Sequence, residues 1–369
     1  MDESRNKVVV TGAGAVAPGF SEGVRGALRL ASGAPLPASE ITAFEVPADA
    51  PSLACELADF DGKPYLTSTQ TFLDRATALA VAGARLALED AGLFDREARP
   101  GETGLAYATA FGCLDAMETF FGKVKAGKAR FASPLPFSHA YANSPSSLVA
   151  IEFGLAGHAA TFSGGETAGL AALGSAADAV AHAPESLARG GVLAGASEAF
   201  SRAAWRHARA NGLLSPTGRV RPLAPDADGT VLGEAGAFLV LERADRAAAR
   251  GARVLGRLAG HGSSARAGAE GLALAARAAM EGADGEPPLV LTGASGVPGR
   301  DAIEREALDV LGLAARAGHP KRCFGDCGAA SPVLAALAEL GHLASGKTQR
   351  ALVTALDRSG AWAVLLEAP

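Results

Sequence analysis

Residues 157–180 read GHAATFSGGETAGLAALGSAADAV. The short run from His158 to Phe162 predicts a buried strand, Ser163, Gly164 and Gly165 a tight turn, and the alanine- and leucine-rich tract opening at Glu166 or Thr167 a helix. Such a turn holds one side chain over the free N–H groups of a helix start, where an anionic or electron-rich group is stabilised. Many enzymes put a nucleophile there, and this chain puts Glu166. A glutamate at a helix start also serves simply as a capping or dipole-complementing residue.

Working outward, Thr71 to Leu93 (TFLDRATALAVAGARLALEDAGL) carries apolar residues at helical spacing and ends at Gly92. Small-residue strands are predicted over 104–111 and 191–198, and glycine turns over 221–242 (RPLAPDADGTVLGEAGAFLVLE). KVVVTGAGAVAPG from Lys7 is echoed by PLVLTGASGVPG from Pro288, 281 residues later, an internal repeat of a strand running into a glycine turn. A helix is expected from about Ser21 to Leu30.

These stretches resemble the β-ketoacyl synthases over nearly the whole chain. The 71–93 helix matches D-R-x-x-x-x-A-L-x-A-A-x-x-A-L-x-D-A-G-L, and 221–242 retains Arg221, Pro222, Asp228, Gly229, Gly233, Glu234 and Gly236 of the family's R-P-F-D run. The resemblance implies an α/β, thiolase-like fold, two pseudo-symmetric halves in five α-β-α-β-α layers, divided here as 1–245 and 246–369. It also places Glu166 at the acyl-accepting cysteine, Gly293 at the first catalytic histidine and Asp326 at the second. Thr167, Gly169, Glu234, Asp301, Glu304 and Lys321 are the structural residues that persist around this degenerate site. The closing G-F-G-G-x-N turn is reduced to ALDRSGAW, with Gly360 surviving.

Claisen condensation needs a thiol to hold the acyl group and imidazoles to assist decarboxylation and stabilise the enolate and oxyanion. With all three replaced, no catalytic residue is expected. The pattern resembles the chain-length factors, or ketosynthase β subunits, of type II polyketide synthases, although their cysteine position often holds glutamine. The resemblance implies a heterodimer with a catalytic ketosynthase, an acyl carrier protein as further partner, and no cofactor bound by this chain, the carrier's phosphopantetheine arm entering the partner subunit. It places Leu114, Met117, Phe120 and Phe121 on a helix at the dimer interface and the tunnel floor, with Phe137, His139 and Tyr141 of the proline- and serine-rich 133–149 loop lining channel or interface. Low aromatic content leaves open a factor for reduced, polyene chains. A ketosynthase-like malonyl decarboxylase and a homomeric structural protein of the same fold are the alternatives.

The 369 residues are 49% hydrophobic with 46 glycines and 5% aromatics, enough for a large core with many close backbone approaches. A net charge of −5 gives no basic footprint for nucleic acid, so an acidic carrier would need a local patch of Lys and Arg. TGAGAVAPG lacks dinucleotide-site spacing. Cys55, Cys113, Cys323 and Cys327 show neither a disulfide framework nor metal-ligand spacing. No run approaches a membrane span and MDESRNK leads directly into a strand, so a cytoplasmic location without a membrane partner is expected.

Overall fold

Nine consecutive buried residues, Val8–Val16, form β1, a run without inside–outside alternation because both faces are covered. The computed structural model describes residues 7–18, 38–69, 73–94, 101–132, 137, 139–182, 190–283 and 285–369. The helix expected over 21–30 lies outside the described residues. The further strands are β2 (Ser39–Glu40), β3 (Leu53–Ala54), β4 (Gly104–Thr109), β5 (Ala159–Ser163), β6 (Val192–Glu198), β7 (Ala235–Arg243), β8 (Gly256–Ser264), β9 (Leu289–Leu291), β10 (Ala317–Gly318), β11 (Arg350–Asp357) and β12 (Gly360–Glu367). β2 and β3 pair as a separate ribbon, and the rest form one ten-stranded sheet in the order β10-β9-β11-β12-β8-β1-β7-β6-β4-β5.

That order is the same motif written twice. Outward from the middle, one wing runs β1-β7-β6-β4-β5 and the other β8-β12-β11-β9-β10. Strand senses repeat as well: β4 is parallel to β5 and β6, as β9 is to β10 and β11, while the strands nearer the middle are antiparallel in both wings. The wings join where Val8–Val10 of β1 pair antiparallel with 256–258 of β8. Between them lie the helices Thr167–His182 and Ala330–Ala344, each touching strands of both wings. Arg75–Asp90 and Ser144–Phe153 cover the outside of the first wing, Gly268–Ala279 and Pro298–Leu311 that of the second. This is the five-layered, thiolase-like α/β arrangement.

Three expectations need correction. The echo between residues 7 and 288 relates β1 to β9, yet the strand that repeats β1's place is β8, and β9 repeats β4. Both segments are simply buried strands that end in glycine turns. β5 is not buried: it is the sheet edge, hydrogen-bonded only to β4 among the described residues, and its five residues are half-buried or exposed. The prolines and serines of 133–149 do not exclude a helix either, because Pro145 falls in the first turn of Ser144–Phe153, where a missing N–H costs nothing.

The central helices approach closely because Gly169 has no side chain: a Cβ there would collide with the carbonyl oxygen of Ala329. That packing brings the start of the Thr167–His182 helix beside residues 321–329, which sets up the site.

Candidate functional site

Glu166 sits at the turn into the Thr167–His182 helix, 9% exposed, and accepts a hydrogen bond of 2.7 Å from Lys321 Nζ through Oε2. Lys321 is itself 2% exposed, on the short helix Lys321–Phe324, and its Nζ also lies 3.4 Å from Asp326 Oδ2. Asp326 is pinned by backbone bonds, its N–H to Val231 O at 2.7 Å and its carbonyl accepting from Gly233 N at 2.9 Å. Thus Glu166 and Asp326, two of the three positions expected to be degenerate, share one buried ammonium.

The third, Gly293, leaves room for Glu166 and for a further carboxylate, Glu304. A Cβ at 293 would stand 2.9 Å from Glu304 Oε1 and 3.3 Å from Glu166 Oε1. Glu304, 3% exposed on the Pro298–Leu311 helix, therefore faces Glu166 across the missing side chain. Among the described residues, Glu166 Oε1 and Glu304 Oε2 have no hydrogen-bond partner. Burial pushes Glu166 up to about 7, against the pull of Lys321. Burial and the neighbouring Glu166 push Glu304 up to about 8. Lys321 is driven the other way from burial by Asp326 and Glu166, so its ammonium is held above its usual range.

Two carboxylates not anticipated from sequence complete the surroundings. Asp357, the last residue of β11, accepts from Thr167 N at 2.9 Å and from Thr167 Oγ1 at 2.6 Å, capping the helix from the other wing. Burial opposes its ionisation, but hydrogen bonds from Ser359 and Thr167 hold it below the usual carboxylate range. A side chain at Gly165 would collide with Asp357, which explains the second turn glycine. Glu198, at the end of β6, accepts from Thr109 Oγ1 and, at 2.8 Å, from Ala110 N, and burial pushes it up to about 8. A Cβ at Gly328 would lie 2.7 Å from Glu198 Oε2. The DRSG turn at 357–360 is the sort of Asx-type sequence that marks a local carboxylate–backbone contact, but nothing local points to Thr167.

Of the residues expected around the site, Thr167, Gly169, Glu304 and Lys321 converge as described. Asp301 acts one step away, accepting from Ser295 N at 2.9 Å and Leu223 N at 2.7 Å and so fixing the turn after Gly293. Glu234 does not join it: its carboxylate takes Arg75 at 2.7 Å and Leu57 N at 2.8 Å, tying the 57–60 loop to the first outer helix. The cavity that reaches Glu166 is only about 130 Å³, walled by Phe111, His207, Leu232, Val297, Arg300 and Asp357 among others.

Elsewhere the two expected interface segments meet. Helix Leu114–Lys125 buries only Ala116. Phe120 packs on Phe137 with ring centroids 4.8 Å apart and on Phe121 at 5.3 Å, and Phe137 packs on Tyr141 at 5.3 Å. Met117, Phe121 and Tyr141 remain 39%, 44% and 51% exposed, while Leu114 and His139 are half-buried. Exposed Lys123, Lys125, Lys128 and Arg130 follow on the same segment.

Residues 5–247 match the β-ketoacyl synthase N-terminal domain. The chain belongs to the β-ketoacyl synthase family. Within that family it is 34% identical over 331 residues to the tetracenomycin polyketide synthase ketoacyl synthase beta subunit of Streptomyces glaucescens, covering 82% of this chain and 76% of that one. The structure is similar to the ishigamide ketosynthase/chain length factor, with a TM-score of 0.89 at 22% identity over 99% of this chain and all of that one. It is also similar to a type II polyketide synthase ketosynthase, bound to the hexaketide and in complex with its acyl-carrier protein, with a TM-score of 0.83 at 21% identity over 99% of this chain and all of that one. Alignments with the first curated relatives span 62–64% of those proteins, so this chain matches about three-fifths of their length. Among the described residues, no helix of this β-ketoacyl synthase relative is long and apolar enough to cross a membrane, and no group of three or more His, Cys, Asp or Glu could hold a metal ion.

Proposed function

We propose that this chain is a non-condensing, chain-length-factor-type member of its family, working as the partner of a catalytic ketosynthase. One observation carries the reading: the nucleophile position holds a buried glutamate locked to Lys321, and the helix amide beside it already binds Asp357. A carboxylate is a poor acyl acceptor because attack at a thioester would give a reactive anhydride. An oxyanion forming beside Thr167 would meet Asp357 where a free N–H donor is needed, so the electrostatic stabilisation of an acyl-transfer transition state is missing as well. Malonyl decarboxylation is disfavoured on the same ground, since its enolate is also anionic. A cavity of about 130 Å³ falls well below the roughly 300–1,000 Å³ of a usual small-molecule site.

Pairing is supported by the aromatic surface around Phe121 and Tyr141 and by β5, an edge with no second neighbouring strand among the described residues, whose Ala159, Ala160 and Phe162 offer little polar protection against another chain. The ketosynthase/chain length factor similarity favours a catalytic sister over a second copy of this chain as occupant. On this reading, residues 1–245 and 246–369 are the two halves, Leu114, Met117 and Phe121 shape the end of the partner's acyl tunnel, and the carrier's phosphopantetheine arm enters the partner. Reduced polyene chains are the proposed product class.

The test is reconstitution. Incubated alone with acyl and malonyl carrier proteins, the chain should show neither an acyl adduct nor elongation by intact-protein mass spectrometry. Co-expressed with a ketosynthase from its own gene neighbourhood that retains Cys, His and His, it should elute as a one-to-one pair. An acylated, chain-extending homodimer would overturn the proposal.

A further inference from the structure

Thr230, Val231 and Leu232 separate two cavities. Thr230 and Leu232 belong to the wall of the one at Glu166, whereas Val231 between them belongs to a larger one, about 390 Å³, that shares no lining residue with it. Lys321 lines the larger cavity too, with its Nζ already committed to Glu166 and Asp326. Gly325, at φ +77°, lets the chain close against Val231, whose carbonyl oxygen would stand 2.7 Å from a Cβ there. The rest of the wall includes Arg219, Arg221 and Arg322, so in a chain of net charge −5 this cavity has, among the described residues, four cations and no acidic side chain. Arg221 pairs with Asp226, which lies in an adjoining hollow of about 250 Å³. Arg219 and Arg322 are exposed, and among the described residues their guanidinium groups have no hydrogen-bond or ion-pair partner.

Like charges gathered in a concave wall repel one another and focus a positive potential into the hollow, and an anion seated there relieves both. We propose that this cavity binds a small molecule bearing a phosphate monoester, the phosphate held by Arg219 and Arg322 and a compact apolar body resting on Ala38 and Val220. The donors select the class. A guanidinium group has no acceptor, and its fork fits the oxygens of a phosphate or carboxylate two at a time. Two unpaired forks match a dianion with three terminal oxygens better than a carboxylate with two. Both arginines are exposed, and Ala38 and Val220 are half-buried, so every group named is within a ligand's reach. The volume falls within the roughly 300–1,000 Å³ of small-molecule sites. The Cys55 thiol, also in the wall, is pushed up to about 11 by burial and so adds no negative charge against the anion. Binding here requires nothing of the cavity at Glu166 or of a ketosynthase partner.

Phenyl phosphate is the probe, titrated against the full chain by calorimetry, with benzoate lacking the second charge, inorganic phosphate lacking the body and benzyl alcohol lacking any charge. Saturable one-site binding of phenyl phosphate is expected, with benzoate and inorganic phosphate weaker and no binding of the alcohol. Arg219→Gln and Arg322→Gln should each weaken phenyl phosphate about tenfold or more, and the two together should abolish its binding. Both positions are exposed, so the melting temperature should hold. If one of these variants fails to fold, the other decides. Lys123→Gln combined with Lys125→Gln removes the same charge from a different face and should leave binding unchanged, which separates a site from general attraction to cations. No saturable binding, benzoate bound as tightly as phenyl phosphate, affinity unchanged in the folded arginine variants, or an equal loss in the lysine variant would overturn the proposal.

Discussion

At Gly293 a single missing side chain accounts for two others. Glu166 and Glu304 reach into the space a Cβ would need, at 3.3 and 2.9 Å, so Gly293, Glu166 and Glu304 are one packing solution. Gly293→His alone should therefore destabilise the chain by roughly 1–3 kcal/mol as an overpacked site. Adding Glu166→Ala should return part of that, a coupling of about 0.5–3 kcal/mol in a double-mutant cycle read by urea unfolding. Additive effects would show that the two positions are independent. Titration gives a second outcome. Glu166 and Glu304, raised to about 7 and about 8 from 4.5, hold protons in the folded state that the unfolded chain has released. Their contribution to stability is thus present below about pH 4.5 and is lost as pH rises through 7 to 8. The melting temperature should fall between pH 5.5 and 8.5, and Glu304→Gln should flatten that slope; an unchanged slope would mean that Glu304 titrates normally. That positions 166, 293 and 326 belong to one site was legible, because the runs around them resemble those of one family, although one residue is missing before Gly328. Asp357 was not, because its meaning depends on Thr167, 190 positions earlier, and a carboxylate in a DRSG turn looks self-contained.

Among the elements, the Leu114–Lys125 helix is the one whose packing within this chain does not explain its sequence. It buries Ala116 and leaves its larger apolar residues half-covered or in water. Truncating Phe121 and Phe137 to alanine should cost little in the stability of the isolated chain, yet weaken the ketosynthase pair tenfold or more, as aromatic anchors at interface centres do. If the pair persists, Met117→Ala or Phe121→Ala should shift products to longer chains. Relief of overpacking is worth about 1–3 kcal/mol, and about 1.4 kcal/mol is a tenfold change in partitioning. Unchanged pairing and product length would take the helix out of both roles. The helix was expected from the resemblance, and β5 was readable as a short strand before a glycine turn. What spacing does not carry is whether such a run is buried by its own chain, and β5 is a strand that is not. Capping is the second element-level matter: Asp357→Ala should lower stability by about 1–2 kcal/mol through the loss of the Thr167 bonds, and protection of the amides at 167–169 from hydrogen exchange should drop first.

For the whole molecule, the two wings are one folding problem. They share strand hydrogen bonds at β1 and β8, and each central helix rests on both. The repeated strand order was legible only in outline, since the repeat lies in topology rather than in sequence, and the audible echo joined strands of different rank. The Asp357 cap also has a bearing on synthesis. Its partner Thr167 leaves the ribosome 190 residues sooner, roughly ten seconds or more at 5–20 residues per second. Throughout that interval the start of the first central helix has no cap and no second wing to lie against. A nascent chain arrested before residue 350 should thus be cut by protease near Gly164 and Gly165 and held by chaperones, whereas release past the last hairpin should close the site to both within the time of a single helix docking.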